Sequence, residues 1–358
     1  MERVTISKLQ TLKGPILITG HTGFKGTWLT LLLEKIGVKV VGFSLAPQKN
    51  SLYERLQRAG KIVEAYADIR NYEVLEKFIF ESKPAAIIHM AAQPLVLESY
   101  KFPLETFSTN VMGTANLLDL SFKYDSVKAI IVVTTDKVYR NSETGEKFKE
   151  SDPLEGKDPY SASKVGTEAA VAAWQQIASI SGGPKIVSVR AGNVIGGGDW
   201  SENRLLPDLI RSFSSGETLK IRNSESTRPW QHVLDPLSGY LLALSASLEE
   251  VNLKTINFGP FTRSLKVAEV VEIAKNTWQS PVNIEFSEKV SSIGFESGVL
   301  EIDPSFAKRE LNWNSIWTQH EAVVSTVEWW DAVLNRDISA FSSCLKDIEI
   351  LLNSLDRR

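Results

Sequence analysis

Ile16-Leu17-Ile18-Thr19-Gly20-His21-Thr22-Gly23-Phe24-Lys25-Gly26 is the stretch that decides the fold. A short β-rich run leads straight into three glycines, and a helical pattern follows. Gly20, Gly23 and Gly26 serve a tight turn, close backbone approach to a pyrophosphate, and close packing of helix on strand. The N-terminus of the helix then offers free N–H groups and a partial positive charge to the phosphates. The glycines are spaced three and three, where the common dinucleotide fingerprint has two and three. Strand, turn and helix still stand in the required order. The stretch is therefore read as a phosphate loop, against the plainer reading of a structural glycine turn.

Working outward, short β-rich runs alternate with helical patterns, the signature of a parallel sheet covered on both faces. Strands are expected at 16–19, 38–44, 62–66, 86–90, 129–134 and 186–190, and helices at about 24–36, 71–82, 104–123 and 157–179. The fold class is thus α/β, a Rossmann-type doubly wound parallel sheet. The 104–123 helix is sheet cover, with a second role as subunit interface. After Arg190 the texture changes. Gly192, Gly196, Gly197 and Gly198 crowd together ahead of Asp199-Trp200, a loop leaving the sheet. Further on, 207–213 and 233–248 read as helices, and 219–222 and 255–258 as strands. The last strand returns to the sheet. Ser264 is expected to start a helix, and Asp303-Pro304 reads as an N-cap with proline at the first helical position. Thr318 and Glu321 form a capping box. These shifts divide the chain into a dinucleotide-binding part, 12–194 with 230–262, and a smaller, mostly helical substrate-binding part, 195–229 with 263–358.

The fingerprint calls for an acidic residue about 20 positions on, to take the adenosine ribose of NAD. Here the second strand ends Gly42-Phe43-Ser44-Leu45, with neither an acid nor an arginine. NAD is therefore not separated from NADP by this criterion. Asp68-Ile69, after the third strand, suits the adenine edge or a helix N-cap.

The 358 residues are 43% apolar and carry a net charge of −3, an ordinary globular composition that argues against a nucleic-acid or membrane-surface role. The single cysteine, Cys344, excludes a disulfide framework, and the four histidines lack metal-ligand spacing, so no metal is expected. The stretch 1–12 lacks the apolar core of a signal peptide. The apolar runs are too short to span a membrane. The expected compartment is the cytoplasm.

Tyr160-Ser161-Ala162-Ser163-Lys164 supplies a phenol and an ammonium one helical turn apart. A second such pair, Tyr124 and Lys128, sits in a turn before a strand and is a decoy. Pro159 and Ser161 place Tyr160 and Lys164 at a helix start, where the ammonium favours the phenolate by charge proximity. Tyr160 can then act as general base on a hydroxyl. Thr135 ends the 129–134 strand, where ligands meet a parallel sheet, and its hydroxyl can reach the same substrate oxygen. Asp136 and Lys137 follow it. An acid and an amine beside a dehydrogenase site are surplus unless oxidation is coupled to elimination. Their other reading is a solvated loop pair.

The glycine loop, Thr135-Asp136 and Tyr160–Lys164 together resemble the extended short-chain dehydrogenase/reductase family that acts on nucleotide sugars. Within it, 4-epimerases tend to follow the strand with serine and small residues, whereas 4,6-dehydratases carry Thr-Asp-Glu. Lys137 replaces that glutamate here. This departure, together with Arg190–Trp200 and Arg228-Pro229-Trp230-Gln231-His232-Val233, is most similar to the dehydratases of CDP-glucose. His89–Pro94 and Asn257–Pro260 fit the same group.

The resemblance implies NAD held by Gly20, Thr22, Gly23, Phe24, Gly26, Asp68, Ile69, Ala91, Tyr160 and Lys164. It implies catalysis by Thr135, Asp136, Lys137, Tyr160 and Lys164. Gln93, Asn193, Arg204, Arg228 and His232 are candidates to bind the nucleotide sugar. A homodimer or dimer of dimers through helices near 104–123 and 160–179 is also implied. A 4-epimerase, a dehydratase for another nucleotide sugar, and a catalytically silent dinucleotide-binding regulator are the rival readings.

Overall fold

The computed structural model describes residues 5–221, 223–249, 251–278, 282–286 and 298–357. Arg222, the last residue of the strand expected at 219–222, lies outside them. So do residues 1–4, part of the stretch that lacks a signal core, and the remaining gaps in the substrate-binding part.

Seven strands make one parallel sheet: β1 (Ile16–Thr19), β2 (Val40–Ser44), β3 (Val63–Tyr66), β4 (Ala86–His89), β5 (Ala129–Val133), β6 (Lys185–Ala191) and β7 (Thr255–Phe258). Their spatial order is β7-β6-β5-β4-β1-β2-β3. The chain steps outward from β1 to β3 and then returns to lay β4 on the other side of β1. That reversal opens a crevice at the carboxyl ends of β1 and β4, the usual ligand position in such sheets.

Both faces of the strands are apolar because both are covered. Ile16, Ile18, Ile88, Ile131 and Val189 join one buried cluster, whereas the alternating Leu17, Ile87, Ile130, Val132 and Ile186 join the other. On the first face lie α1 (Phe24–Lys35) and a later helix, Leu234–Leu248. On the second lie α2 (Tyr72–Ser82), α3 (Gly113–Lys123) and α4 (Pro159–Ser181). The rest of the chain supplies α5 (Leu205–Ser215), α6 (the Leu234–Leu248 helix), α7 (Val267–Thr277), α8 (Gln319–Asn335) and α9 (Ala340–Asp356). The first cluster runs on from the sheet through α6 into Trp313, Trp330 and Ile348, so the two parts of the chain share one core.

Three expectations change. The helix expected over 104–123 is broken into Pro103–Phe107, a π-turn at Ser108–Met112, and α3. Asn110 is the cause. Its amide is turned to the backbone of Gln93 and to Ser163, and its carbonyl accepts from both Thr114 and Thr167. Ser264 does not start a helix, because Leu265–Lys266 first pairs antiparallel with Thr227–Arg228, and α7 begins only at Val267. At Asp303-Pro304 the helix starts one residue later, at Ser305, whose N–H is taken by Asp303 Oδ1 at 2.9 Å. The capping box at Thr318 forms as expected, with Thr318 Oγ1 accepting from Glu321 N and Glu321 Oε2 accepting from Thr318 N. Among the described residues no helix is long and apolar enough to cross a membrane.

Candidate active site

The phosphate loop is built as a cradle that side chains would fill. Gly20 has φ +75°, and a Cβ there would lie 2.8 Å from the backbone N of Ala91. A Cβ on Gly26 would lie 2.2 Å from the carbonyl oxygen of Gly20. The absent side chains draw three segments together: the loop, the first turn of α1 and the end of β4, which brings Ala91 into the crevice. No side chain caps the first turn of α1, whose N-cap is Gly23. These features fit a dinucleotide pyrophosphate. Phe24 lies against the Gly196 loop. The Thr22 hydroxyl is tied to the end of β2, 2.8 Å from Ser44 Oγ and 2.9 Å from the Leu45 carbonyl.

Beside this cradle stand the ends of β4 and β5 and the start of α4. Asp158 caps α4, accepting from Ser161 N at 3.0 Å, and Pro159 occupies its first turn. This fixes where the helix begins, and Tyr160 and Lys164 then project from one face. Lys164 Nζ donates to the Val133 carbonyl at 3.0 Å. The Tyr160 phenol stands by the Thr135 hydroxyl. Thr135 Oγ1 also donates to Asp136 Oδ1 at 3.1 Å. The five expected catalytic residues are thus gathered where β5 ends. The Tyr124 and Lys128 pair is elsewhere: Lys128 N bonds Ala85 at the opposite end of the sheet.

Burial pushes the Tyr160 phenol up to about 12, and Thr135 and the charge of Arg204 pull it back. Burial brings Lys164 down to about 8, opposed by Glu168. Asp136 is raised to about 6 by burial, against the pull of Lys137, Thr135 and Arg228. Its Oδ2 has no hydrogen-bond partner among the described residues. It faces Gly192, where a Cβ would come within 3.1 Å of it. A buried, half-satisfied carboxyl with an elevated pKa is equipped to give up a proton.

The candidate binding residues divide. Arg204 pairs with Asp199 at 3.2 Å and its charge reaches Tyr160. Arg228 is buried, donates to the Thr227 carbonyl at 2.7 Å, and its charge reaches Asp136. Asn193 is half-buried at the same edge, its carbonyl accepting from Gln231 N at 2.9 Å. Four others are engaged elsewhere. His232 is fully buried with its ring stacked on Trp317 at 4.2 Å, edge-on to Trp28, and 3.4 Å from Asp347. It is a core residue and does not face the crevice. The Gln93 side chain is spent on Leu95 in its own turn and on Thr106 in the Pro103–Phe107 helix. Asp68 is held by the Arg70 guanidinium, which keeps its carboxyl below the usual range, and the neighbouring N-cap is Asn71. Ile69 is buried against Gly113.

Lys25, within the glycine loop, also stands among the candidate site residues. Its Nζ donates to the Tyr240 hydroxyl at 3.0 Å and lies 5.1 Å above that ring. Burial, then the charges of Lys164 and Arg204, bring it down to about 7. The signal was its place between Phe24 and Gly26, which put it in the first turn of the phosphate helix whatever its contacts.

Comparison with known proteins agrees with this geometry. The model of the NAD dependent epimerase/dehydratase family matches residues 16–259. A CDP-glucose 4,6-dehydratase of Salmonella typhimurium is 40% identical, covering 88% of this chain and 90% of its own. Among solved structures, the dTDP-glucose 4,6-dehydratase of Bacillus anthracis in complex with NAD has a TM-score of 0.75 at 24% identity, covering 90% of this chain and 98% of its own. The UDP-glucose 4-epimerase of Thermus thermophilus, also with NAD, has a TM-score of 0.77 at 23% identity, covering 88% and 98%. These two likenesses speak for the fold.

Proposed function

The chain belongs to the NAD dependent epimerase/dehydratase family, and on that premise we propose that it is a hydro-lyase converting CDP-glucose to CDP-4-keto-6-deoxyglucose. The observation that carries this is the buried Asp136 carboxyl, raised to about 6, beside the Tyr160, Lys164 and Thr135 group. Epimerisation at C4 has no use for such an acid, whereas loss of the 6-hydroxyl does. The 40% identity to a CDP-glucose 4,6-dehydratase supports the choice of nucleotide.

In this reading Gly20, Gly23, Gly26 and Ala91 would hold NAD, which would supply the hydride acceptor for C4 and the hydride for C6. Tyr160 takes the proton of the 4-hydroxyl, with Thr135 orienting the same oxygen. The new 4-ketone acidifies the C5 hydrogen. Asp136 protonates the departing 6-hydroxyl as the C5 proton leaves. Lys137 stands beside Asp136, as the base or as a cation that stabilises the enolate. Arg204 and Arg228 pair with the diphosphate, and 195–229 with 263–358 form the substrate-binding part. The buried free thiol of Cys344 suits a reducing compartment such as the cytoplasm.

Incubation with CDP-, dTDP-, UDP- and GDP-glucose tests the assignment. The absorbance of a 4-keto sugar should appear with CDP-glucose, and its absence, or a C4 epimer as product, overturns the reading. Substrate carrying deuterium at C4 is expected to yield product with the label at C6, because the hydride leaves and returns without meeting solvent. Label found in water instead would exclude this route.

We further propose that the chain pairs with a second copy through the helical face that leaves Phe102, Leu104, Met112 and Ile180 exposed by half or more. Sedimentation should show a dimer. Leu104→Arg with Ile180→Arg should give monomers, and a parent chain that sediments as a monomer refutes the pairing.

A further inference from the structure

Tyr160, Lys164 and Glu168 stand four residues apart along α4 and therefore share one face. The reaction outlined above uses the first two. Glu168 is buried just behind them and accepts four hydrogen bonds: from Thr134 Oγ1 at 2.5 Å, Ser188 Oγ at 2.9 Å, and Arg190 Nε and Nη2 at 2.9 and 3.0 Å. Arg190 also donates to the Tyr139 hydroxyl at 2.8 Å and the Glu150 carbonyl at 3.3 Å.

Thr134 is the hinge of the arrangement. The Val133 carbonyl before it receives the Lys164 ammonium, and the Thr135 hydroxyl after it stands by the Tyr160 phenol and lowers its pKa. Three consecutive residues where β5 ends thus hold Lys164, Glu168 and Tyr160 in turn. We propose that Glu168 is a positioning residue of the active site, which fixes this strand end through Thr134 and keeps the Lys164 ammonium charged. The inference rests on the reading that Tyr160 and Lys164 oxidise C4.

The charges around Lys164 point the same way. Lys25 faces it from α1 and His89 from β4, with Tyr160 on its own helix. Glu168 is the anion that supports its proton against burial. Around Glu168 itself stand Arg190 from β6 and, beyond the guanidinium, Tyr139 and Glu150 from the segment after β5. Neutralising Glu168 leaves Lys164 in a buried site beside the positive charge of Lys25, with His89 held neutral there by burial.

The test is titration of the Lys164 Nζ resonance by NMR in the ligand-free protein, assigned by its loss in Lys164→Met. Glu168→Gln removes the charge while keeping the shape. Glu168→Gln with Arg190→Met does so without leaving a buried guanidinium unpaired. In Glu168→Gln the Lys164 midpoint should fall by about 1 pH unit, and the alkaline limb of kcat on CDP-glucose should move with it; in the double variant, which loses the positive charge of Arg190 as well, it should fall by less. Thr134→Val, which cuts the link but leaves every charge, should lower kcat about ten-fold with the Lys164 midpoint unmoved.

A Lys164 midpoint unchanged in either folded Glu168 variant overturns the proposal, as does an unchanged kcat in Thr134→Val. Failure of both Glu168 variants to fold would assign the residue to folding alone and overturn it equally. If the parent does not turn over CDP-glucose, the assigned reaction fails, while the titration still decides the role of Glu168.

Discussion

Tyr160→Phe should lower kcat on CDP-glucose by about 10²- to 10⁴-fold, the range for loss of a general base, while the protein stays folded and still binds NAD. Only one hydroxyl disappears. The Tyr160 backbone N–H donates to Ser99 Oγ at 3.1 Å, and α4 is capped by Asp158; neither depends on the phenol. The ring remains to fill its buried place. The effect is large because Tyr160 is the group assigned to receive the proton of the 4-hydroxyl, and phenylalanine has no oxygen to receive it. Matched unfolding temperatures and NAD titrations establish that the variant is intact. An intact variant with near-parent turnover would remove Tyr160 from the chemistry.

Asp136→Asn should separate the two halves of the reaction. Asparagine matches the carboxyl in shape and can still accept from Thr135, so C4 oxidation by Tyr160, Thr135 and Lys164 proceeds. The amide does not protonate the 6-hydroxyl, and product formation should fall by about 10²-fold or more. Enzyme-bound NADH should therefore build up on mixing with CDP-glucose, to a level above the parent's. The parent's own pH dependence follows from the same group. With its pKa at about 6, Asp136 is protonated below that pH and ionised above it, and about a tenth remains protonated at pH 7. Elimination should weaken as pH rises through 6 in the parent and lose that dependence in Asp136→Asn. Parent-like turnover would make Asp136 a structural loop residue. A variant that forms no NADH at all would place it in binding or oxidation.

What the sequence revealed and what it hid follow a physical line. The sheet was legible because strands buried on both faces read as unbroken apolar runs, and 129–133 shows this most plainly. The gathering of the candidate catalytic residues was legible because Thr135, Asp136, Tyr160 and Lys164 lie at a strand end and in a helix first turn, which local pattern locates. Residues whose role depends on distant partners were not. His232 sits in a motif with Arg228 and reads as readily as a packed residue, but the partners that make it core, Trp28 and Trp317, come from far along the chain. Lys25 became part of the site only when α6 placed Tyr240 beneath it. The π-turn at Ser108–Met112 is set by Gln93, Ser163 and Thr167, none of them within the helix it interrupts.

The lateness of β7 and α6 bears on how the chain is made. Strand β6 is complete by Ala191, but its outer neighbour β7 is finished only at Phe258. The helix that covers Ile131, Val133, Val187 and Val189 is α6, at 234–248. A ribosome emitting this chain therefore exposes, for more than sixty residues of synthesis, a sheet with an unpaired edge and one bare apolar face, the condition that invites aggregation. Chains halted between Ala191 and Phe258 should be those that chaperones retain and that fail to refold after release. Once Phe258 emerges, edge and face close together, and the substrate-binding part gains the surface on which it packs.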